Sequence, residues 1–239
     1  MWEWLTSLFR REAGGETEKA GGEVPVLDPT QKHADLSTPR ELSPVDSPTI
    51  QARLKTLGVF DFLDEHQSQA LKRIILTHCR ERRTEIWWWP LCEFVKTRKT
   101  HKGELPFQVI EEGCEMARFL KERLIMLEEL FRPEGLQFRR IRSAEGEPLH
   151  DRAVLEDGRY LVKYRIGDTD GMLDVHVKDG KIDLGRFVAE LNGLARERRW
   201  GNRLVLLPPQ GKAHCVVRCN IGTAERAERS QWGRVDYPD

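Results

Sequence analysis

The spacing of the apolar residues changes near Pro133, and this change constrains the fold more than any other feature of the chain. Up to Pro133 the apolar residues recur at helical intervals, which predicts helices over residues 47–58, about 64–85 and 106–131. After Pro133 apolar and polar residues alternate, as they do in strands that bury one face. The first half of the chain is therefore predicted to be helical and the second half to contain a sheet.

The second half contains five predicted strands and one predicted helix. The strands cover residues 136–141, 160–166, 172–178, 203–207 and 213–219, and the helix covers residues 184–199. Asp-Gly pairs, which favour tight hairpin turns, stand at 157–158, 170–171 and 179–180, each beside a strand. The order βββαββ after a helical segment predicts the α+β class, with a mostly antiparallel sheet crossed by one helix.

The N-terminal segment lacks this apolar periodicity from about Glu12 onward. Residues 1–48 carry nine acidic and five basic side chains, together with five prolines and four glycines. Such a segment cannot bury enough apolar surface to offset the entropy lost on ordering. We therefore predict a disordered acidic tether over residues 1–47, a helical module over 48–133 and an α+β module over 134–239.

The composition excludes several classes of protein. The 39 basic and 39 acidic side chains cancel, so the chain is not a polycation that binds nucleic acid through its overall charge. No apolar run approaches the roughly 18 residues of a transmembrane helix, and no secretory signal is evident. The five cysteines have neither the spacing of a disulfide framework nor that of a zinc site. We expect a soluble cytoplasmic protein without a metal or cofactor.

The first eleven residues differ from the tether that follows them. Trp2, Leu5, Leu8 and Phe9 lie at helical spacing, with Trp4 flanking them and two arginines following. A helix this short is marginal alone in water, so we expect it to form against another surface. That surface is either a groove on a partner protein or, by peripheral contact, a membrane interface. The alternative is that the segment folds back onto its own domain or frays.

Three consecutive tryptophans, Trp87, Trp88 and Trp89, form a second candidate contact, because exposing three indoles to water is costly. Six cations flank them, namely Arg80, Arg82, Arg83, Lys96, Arg98 and Lys99. They belong to one of two basic stretches, residues 72–102 and 196–234, each with nine bases and three acids. Rings beside cations suit single-stranded nucleic acid or a protein interface. The alternative is that the indoles pack the helical half onto the sheet.

A polar strand face is the candidate catalytic site. Asp174, His176 and Lys178 alternate with apolar residues and project from one face, where they could meet Asp157 or Asp170 around a divalent metal that activates water. The surrounding order of helix, three strands, helix and strand resembles the αβββαβ core of restriction-endonuclease-like nucleases. That family has an Asp followed by Glu-x-Lys on the third strand; Asp157 and Lys178 match it, and His176 stands where the glutamate belongs. The alternative is the solvated face of an antiparallel sheet.

These observations favour a non-enzymatic interaction protein, whose tethered N-terminal peptide docks on another protein. An adaptor, an immunity-type inhibitor and an accessory subunit of a larger assembly all fit this description. The alternative is a metal-dependent, restriction-endonuclease-like nuclease, or a catalytically degenerate relative that binds nucleic acid.

Deletion of residues 1–11 tests the docking peptide. In a pull-down from the host, we expect the full-length protein to retain a protein or lipid that the truncated protein does not, because the apolar anchors are gone. The measurement is the identity of the bound protein, lipid and nucleic acid in both samples. An identical set in the two samples would contradict the docking hypothesis.

Overall fold

A computed structural model describes residues 46–80, 87–97 and 105–235. These residues belong to one compact unit with six helices and two antiparallel sheets, which confirms the α+β class. Several predicted contact residues lie outside the described ranges, namely Trp2, Trp4, Leu5, Leu8, Phe9, Arg82, Arg83, Arg98 and Lys99.

In the described part of the chain, three helices precede the first strand: α1 (Ser47–Thr56), α2 (Glu65–Arg80) and α3 (Trp89–Thr97). Asp46 caps α1, because its Oδ1 accepts a hydrogen bond from Thr49 N at 2.8 Å. Asp64 and Gln67 form a reciprocal capping box at the start of α2. Within the described ranges, no helix combines the length and the apolar character that a bilayer span requires.

The helix predicted over residues 106–131 is wrong at its N-terminal end. Strand β1 occupies Phe107–Glu111, and helix α4 covers only Ala117–Leu130. Strand β1 pairs with β7 (Ala213–Asn220), which places Phe107 opposite Val217. A short apolar run fits both the helical and the strand period. Pairing with β7, which lies far along the chain, makes this run a strand.

The remaining elements follow the predicted order. They are β2 (Leu136–Ser143), β3 (Gly158–Ile166), β4 (Thr169–Lys178), β5 (Lys181–Ile182), α5 (Leu184–Glu197), β6 (Asn202–Leu206), β7 and α6 (Ile221–Arg229). Strand β5 and helix α6 were not expected from the sequence. The strands form two sheets instead of one: sheet 1 has the order β1-β7-β6 and sheet 2 the order β2-β3-β4-β5, with every pair antiparallel.

Two of the Asp-Gly pairs have different roles. Asp179 and Gly180 form the turn between β4 and β5 with φ of 52° and 67°, as a hairpin signal predicts. Asp170 and Gly171 lie within β4. Gly171 is opposite Tyr164, and a Cβ there would lie 2.3 Å from the tyrosine ring. This glycine is needed for the close approach of that ring and not for a turn.

Sheet 1 separates two hydrophobic cores. On β6, Leu204 belongs to the first core and Val205 to the second; on β7, Val216 belongs to the first and Val217 to the second. The first core lies between α4, α5 and the inner face of sheet 2, and the second contains the apolar residues of α1, α2, α3 and α6. The predicted helical and α+β modules therefore share sheet 1, because β1 precedes the predicted boundary at residue 133 and β7 follows it.

A short segment after β1 joins the two sheets. Ile182 N donates to Glu112 O at 2.8 Å, and Cys114 N donates to Gly180 O at 2.7 Å. The buried side chain of Arg123 on α4 holds this segment, since its Nε donates to Glu111 O at 2.9 Å. The junction between the sheets is thus fixed by backbone hydrogen bonds and by one arginine.

The outer edge of β6 is closed by polar contacts. Leu206 and Arg234 exchange two backbone hydrogen bonds of 2.8 Å. The fully buried Asn192 on α5 donates to Leu204 O and to Val235 O and accepts from Leu204 N. These bonds leave β6 no open edge at Leu204 and Leu206 for another strand.

Replacement of Asn192 by alanine should lower the free energy of unfolding by about 2–4 kcal/mol, because three buried backbone groups are left without their partner. Urea unfolding measures this change. Asn202→Ala is the matched control, since Asn202 Nδ2 donates to Glu134 Oε1 in a half-buried setting, and it should cost about 1 kcal/mol. Equal decreases in the two variants would contradict the role given to Asn192.

Candidate functional site

Two carboxylates of the predicted metal site already bind other protein groups. Asp174, His176 and Lys178 do lie on the outer face of β4, while Leu173, Val175 and Val177 are buried, so the predicted alternation is confirmed. Asp157, however, accepts a backbone hydrogen bond from Asp179 N at 2.7 Å, and Arg159 binds both carboxylate oxygens of Asp174 at 2.9 Å.

The same residues do not fit a divalent metal. Each of the two carboxylates, Asp157 and Asp174, already has a protein partner, and the two partners lie at different positions on the sheet. His176 Nε2 is buried, without a hydrogen-bond partner in the described part of the chain. Among the described residues, no group of three or more His, Cys, Asp or Glu side chains is arranged to hold a metal ion.

The outer face of sheet 2 instead carries a basic concavity of about 370 Å³. The residues that line it are Arg139, Arg140, Arg142, Lys163 and Arg165. A β-bulge in β2 contributes to this density of charge. Phe138 is opposite Tyr164 and Arg140 is opposite Lys163, so Arg139 is the extra residue of the bulge. As a result, two consecutive arginines are exposed on one short strand.

The concavity has an excess of positive charge. Among the described residues its one carboxylate contact is Asp170, which lies 2.7 Å from Lys163 Nζ and 2.8 Å from Arg165 Nε. Hydrogen bonds from Arg165 and Lys163 hold the pKa of Asp170 well below its usual value, and the bond to Asp170 raises the pKa of Arg165. Arg140 makes no hydrogen bond or ion pair within the described residues. An anionic ligand could therefore bind where several cations meet.

The basic residues predicted around the tryptophans lie elsewhere. Arg80 is exposed at the end of α2. Lys96 on α3 forms an ion pair with Glu93 at 2.9 Å and lies over the ring of Trp89. Neither basic stretch of the sequence contributes a residue to the concavity. The sequence signal for this concavity is the cluster of Arg139, Arg140 and Arg142 within four residues. The apolar spacing of that strand predicts the strand but not the concavity.

The tryptophans pack in the second core. Trp88 is fully buried and its Nε1 donates to Pro208 O at 2.8 Å, and Trp87 is 7% exposed. The guanidinium of Arg53 lies 5.4 Å from the centre of the Trp87 ring and 5.6 Å from that of Trp232. The burial of Trp87 and Trp88 favours the interpretation that they pack the helices onto a sheet over a contact with a partner.

A second cleft, of about 720 Å³, lies where the two sheets meet. At its wall Glu112 binds Lys181 of β5 at 2.8 Å and His214 of β7 at 3.2 Å. Burial raises the pKa of Glu112, and the hydrogen bonds from Lys181 and His214 outweigh this effect, so the pKa lies below its usual value. His214 Nε2 contacts Glu112, and its buried Nδ1 has no hydrogen-bond partner among the described residues. The cluster joins the sheets.

Comparison with known protein families, with curated proteins and with solved structures finds no match to this chain.

Glu112→Gln should lower stability at pH 7, because Lys181 and His214 no longer have a charged partner. The folded-state pKa of Glu112 lies below its usual value, so the carboxylate stabilises the fold above the unfolded-state pKa. That contribution disappears as the pH falls through the folded-state pKa. The free energy of unfolding is measured in urea from pH 7 to pH 3. The difference between Glu112→Gln and the native protein should therefore become smaller at acid pH. Glu115→Gln is the control variant. A difference in stability between Glu112→Gln and the native protein that stays constant with pH would contradict the role given to Glu112.

Proposed function

We propose that this chain is a non-enzymatic interaction protein that binds nucleic acid through the basic concavity of sheet 2. The observation that carries the proposal is the convergence of five cationic side chains on one surface, where the described part of the chain supplies a single carboxylate partner, Asp170. An adaptor or an accessory subunit that contacts nucleic acid within a larger assembly fits this chemistry.

Repulsion within the concavity supports an anionic ligand. Arg140 is directly opposite Lys163 on the neighbouring strand, and like charges in this position destabilise a sheet. A bound anion would relieve the repulsion. The guanidinium group presents donors in a planar fork that matches the oxygens of a phosphate, and three of the five cations are arginines of one strand.

The shape and composition of the surface favour a phosphate backbone over a peptide. All five lining residues are Lys or Arg, so among the described residues no aliphatic or aromatic residue lines the concavity as an anchor point for a peptide side chain. Contacts of cations with phosphates need no such pocket and carry no sequence information. We therefore expect binding that is strong at low salt and similar for different nucleic-acid sequences.

The docking peptide of residues 1–11 remains part of the proposal as the contact with a protein partner. Its support is the helical spacing of Trp2, Leu5, Leu8 and Phe9. The concavity and the peptide would then give one chain two kinds of contact, one with nucleic acid and one with protein.

The triple variant Arg139→Gln, Arg140→Gln, Arg142→Gln tests the nucleic-acid site. Fluorescence anisotropy with a labelled 20-base-pair DNA duplex, at several salt concentrations, measures the binding constant. The slope of its logarithm against the logarithm of salt concentration should become shallower by about 0.9 for each phosphate that an arginine no longer neutralises, hence by about 2.7 for all three.

The matched control removes three exposed cations from the basic stretch that the sequence had suggested, with Lys72→Gln, Arg73→Gln and Arg80→Gln on α2. This variant should bind the duplex like the native protein. Abolished binding in the α2 variant together with native binding in the β2 variant would overturn the proposed site. Thermal unfolding of both variants checks that each still folds.

A further inference from the structure

We propose that the Asp170 carboxylate competes with the phosphates of the nucleic acid for Lys163 and Arg165. This inference rests on the proposed function, because it concerns the strength of binding at the same concavity. It assigns to one acidic side chain the role of limiting affinity for polyanions.

The carboxylate of Asp170 forms ion pairs with two of the five cations. Asp170 is directly opposite Arg165 on the neighbouring strand, and Lys163 lies two residues earlier on the same face. Asp170 Oδ2 is 2.7 Å from Lys163 Nζ, and Oδ1 is 2.8 Å from Arg165 Nε. A second bond joins Arg165 Nη2 to Oδ2 at 3.4 Å. Both oxygens of the carboxylate are therefore used.

The three arginines of β2 differ from Lys163 and Arg165 in their partners. Arg139 donates to Gln137 and Arg142 donates to Gly146 O at 3.4 Å. Neither they nor Arg140 contact a carboxylate within the described residues. The concavity is thus divided into a β2 row without acidic partners within the described residues and a β3 row whose two cations share one aspartate.

The division has a direct consequence for binding. A phosphate that approaches Lys163 or Arg165 competes with the Asp170 carboxylate, which makes the same kind of charge-assisted hydrogen bond. The ion pairs are solvent-exposed, with side-chain exposures of 34–47%, and exposed ion pairs exchange easily with water and salt. Removing the charge of Asp170 should therefore free two cations for phosphate contacts without disturbing the core.

Asp174 provides a matched control on the same strand and the same face. It forms an ion pair with Arg159, but Arg159 does not line the concavity. Asp174→Asn thus removes one negative charge and one ion pair from sheet 2, as Asp170→Asn does, and releases no cation into the concavity.

The experiment measures binding of the full-length protein to a labelled 20-base-pair DNA duplex over a range of salt concentrations. Asp170→Asn should bind more tightly, and its salt slope should steepen by up to about 1.8, which corresponds to about 0.9 for each of two additional phosphate contacts. Asp174→Asn should keep the native slope. Adding Lys163→Gln and Arg165→Gln to Asp170→Asn should abolish the gain in slope.

The outcomes separate the two proposals. If neither the native protein nor Asp170→Asn binds the duplex, the proposed function fails. If the native protein binds and Asp170→Asn has the native slope and affinity, Asp170 is not a competitor, and the proposed function stands. An equal gain for Asp170→Asn and Asp174→Asn also overturns the inference, because it would reflect overall charge and not the release of two specific cations.

Discussion

The burial of both faces of sheet 1 is the constraint on which the rest of the structure depends. A sheet that is covered on both sides needs apolar residues at consecutive positions, and Leu204-Val205 and Val216-Val217 provide them. Each neighbouring pair points into different cores, so the helices before β1 and the helices after it pack on the same three strands. Disrupting the pairing between β1 and β7 would therefore affect both cores.

Within the described ranges, sheet 2 is covered on one face only, and its other face is exposed there. Inward residues of β3 and β4, such as Val162 and Val175, are fully buried against α4 and α5. Outward residues are free to be charged. Strand β2 lies at the edge of this sheet, where cationic side chains also discourage pairing with another chain. The arginines of β2 thus protect an edge and form the basic concavity at the same time.

Local pattern was sufficient for several elements that have one buried face. The alternation through Asp174, His176 and Lys178 predicted the outer face of β4, and the order βββαββ predicted the α+β class. It was insufficient for residues 107–111, where a short apolar run fits two periods, and for Asp170-Gly171, where the glycine serves a tyrosine ring and not a turn. The site was missed for a similar reason. The arginines of β2 and the cations of β3 are more than twenty positions apart, and only the strand register places them together.

The sequence by itself determined most of the helical and strand segments after residue 133, their order and the polar side of β4, because these depend on the spacing of apolar residues along the chain. Only the tertiary structure decided that the strands form two sheets, that Trp88 is core and that five cations share one concavity. It also decided that Asp157 and Asp174 are held by separate partners. These outcomes depend on which distant segments pair, and pairing is set by the packing of the whole chain, which no local pattern encodes.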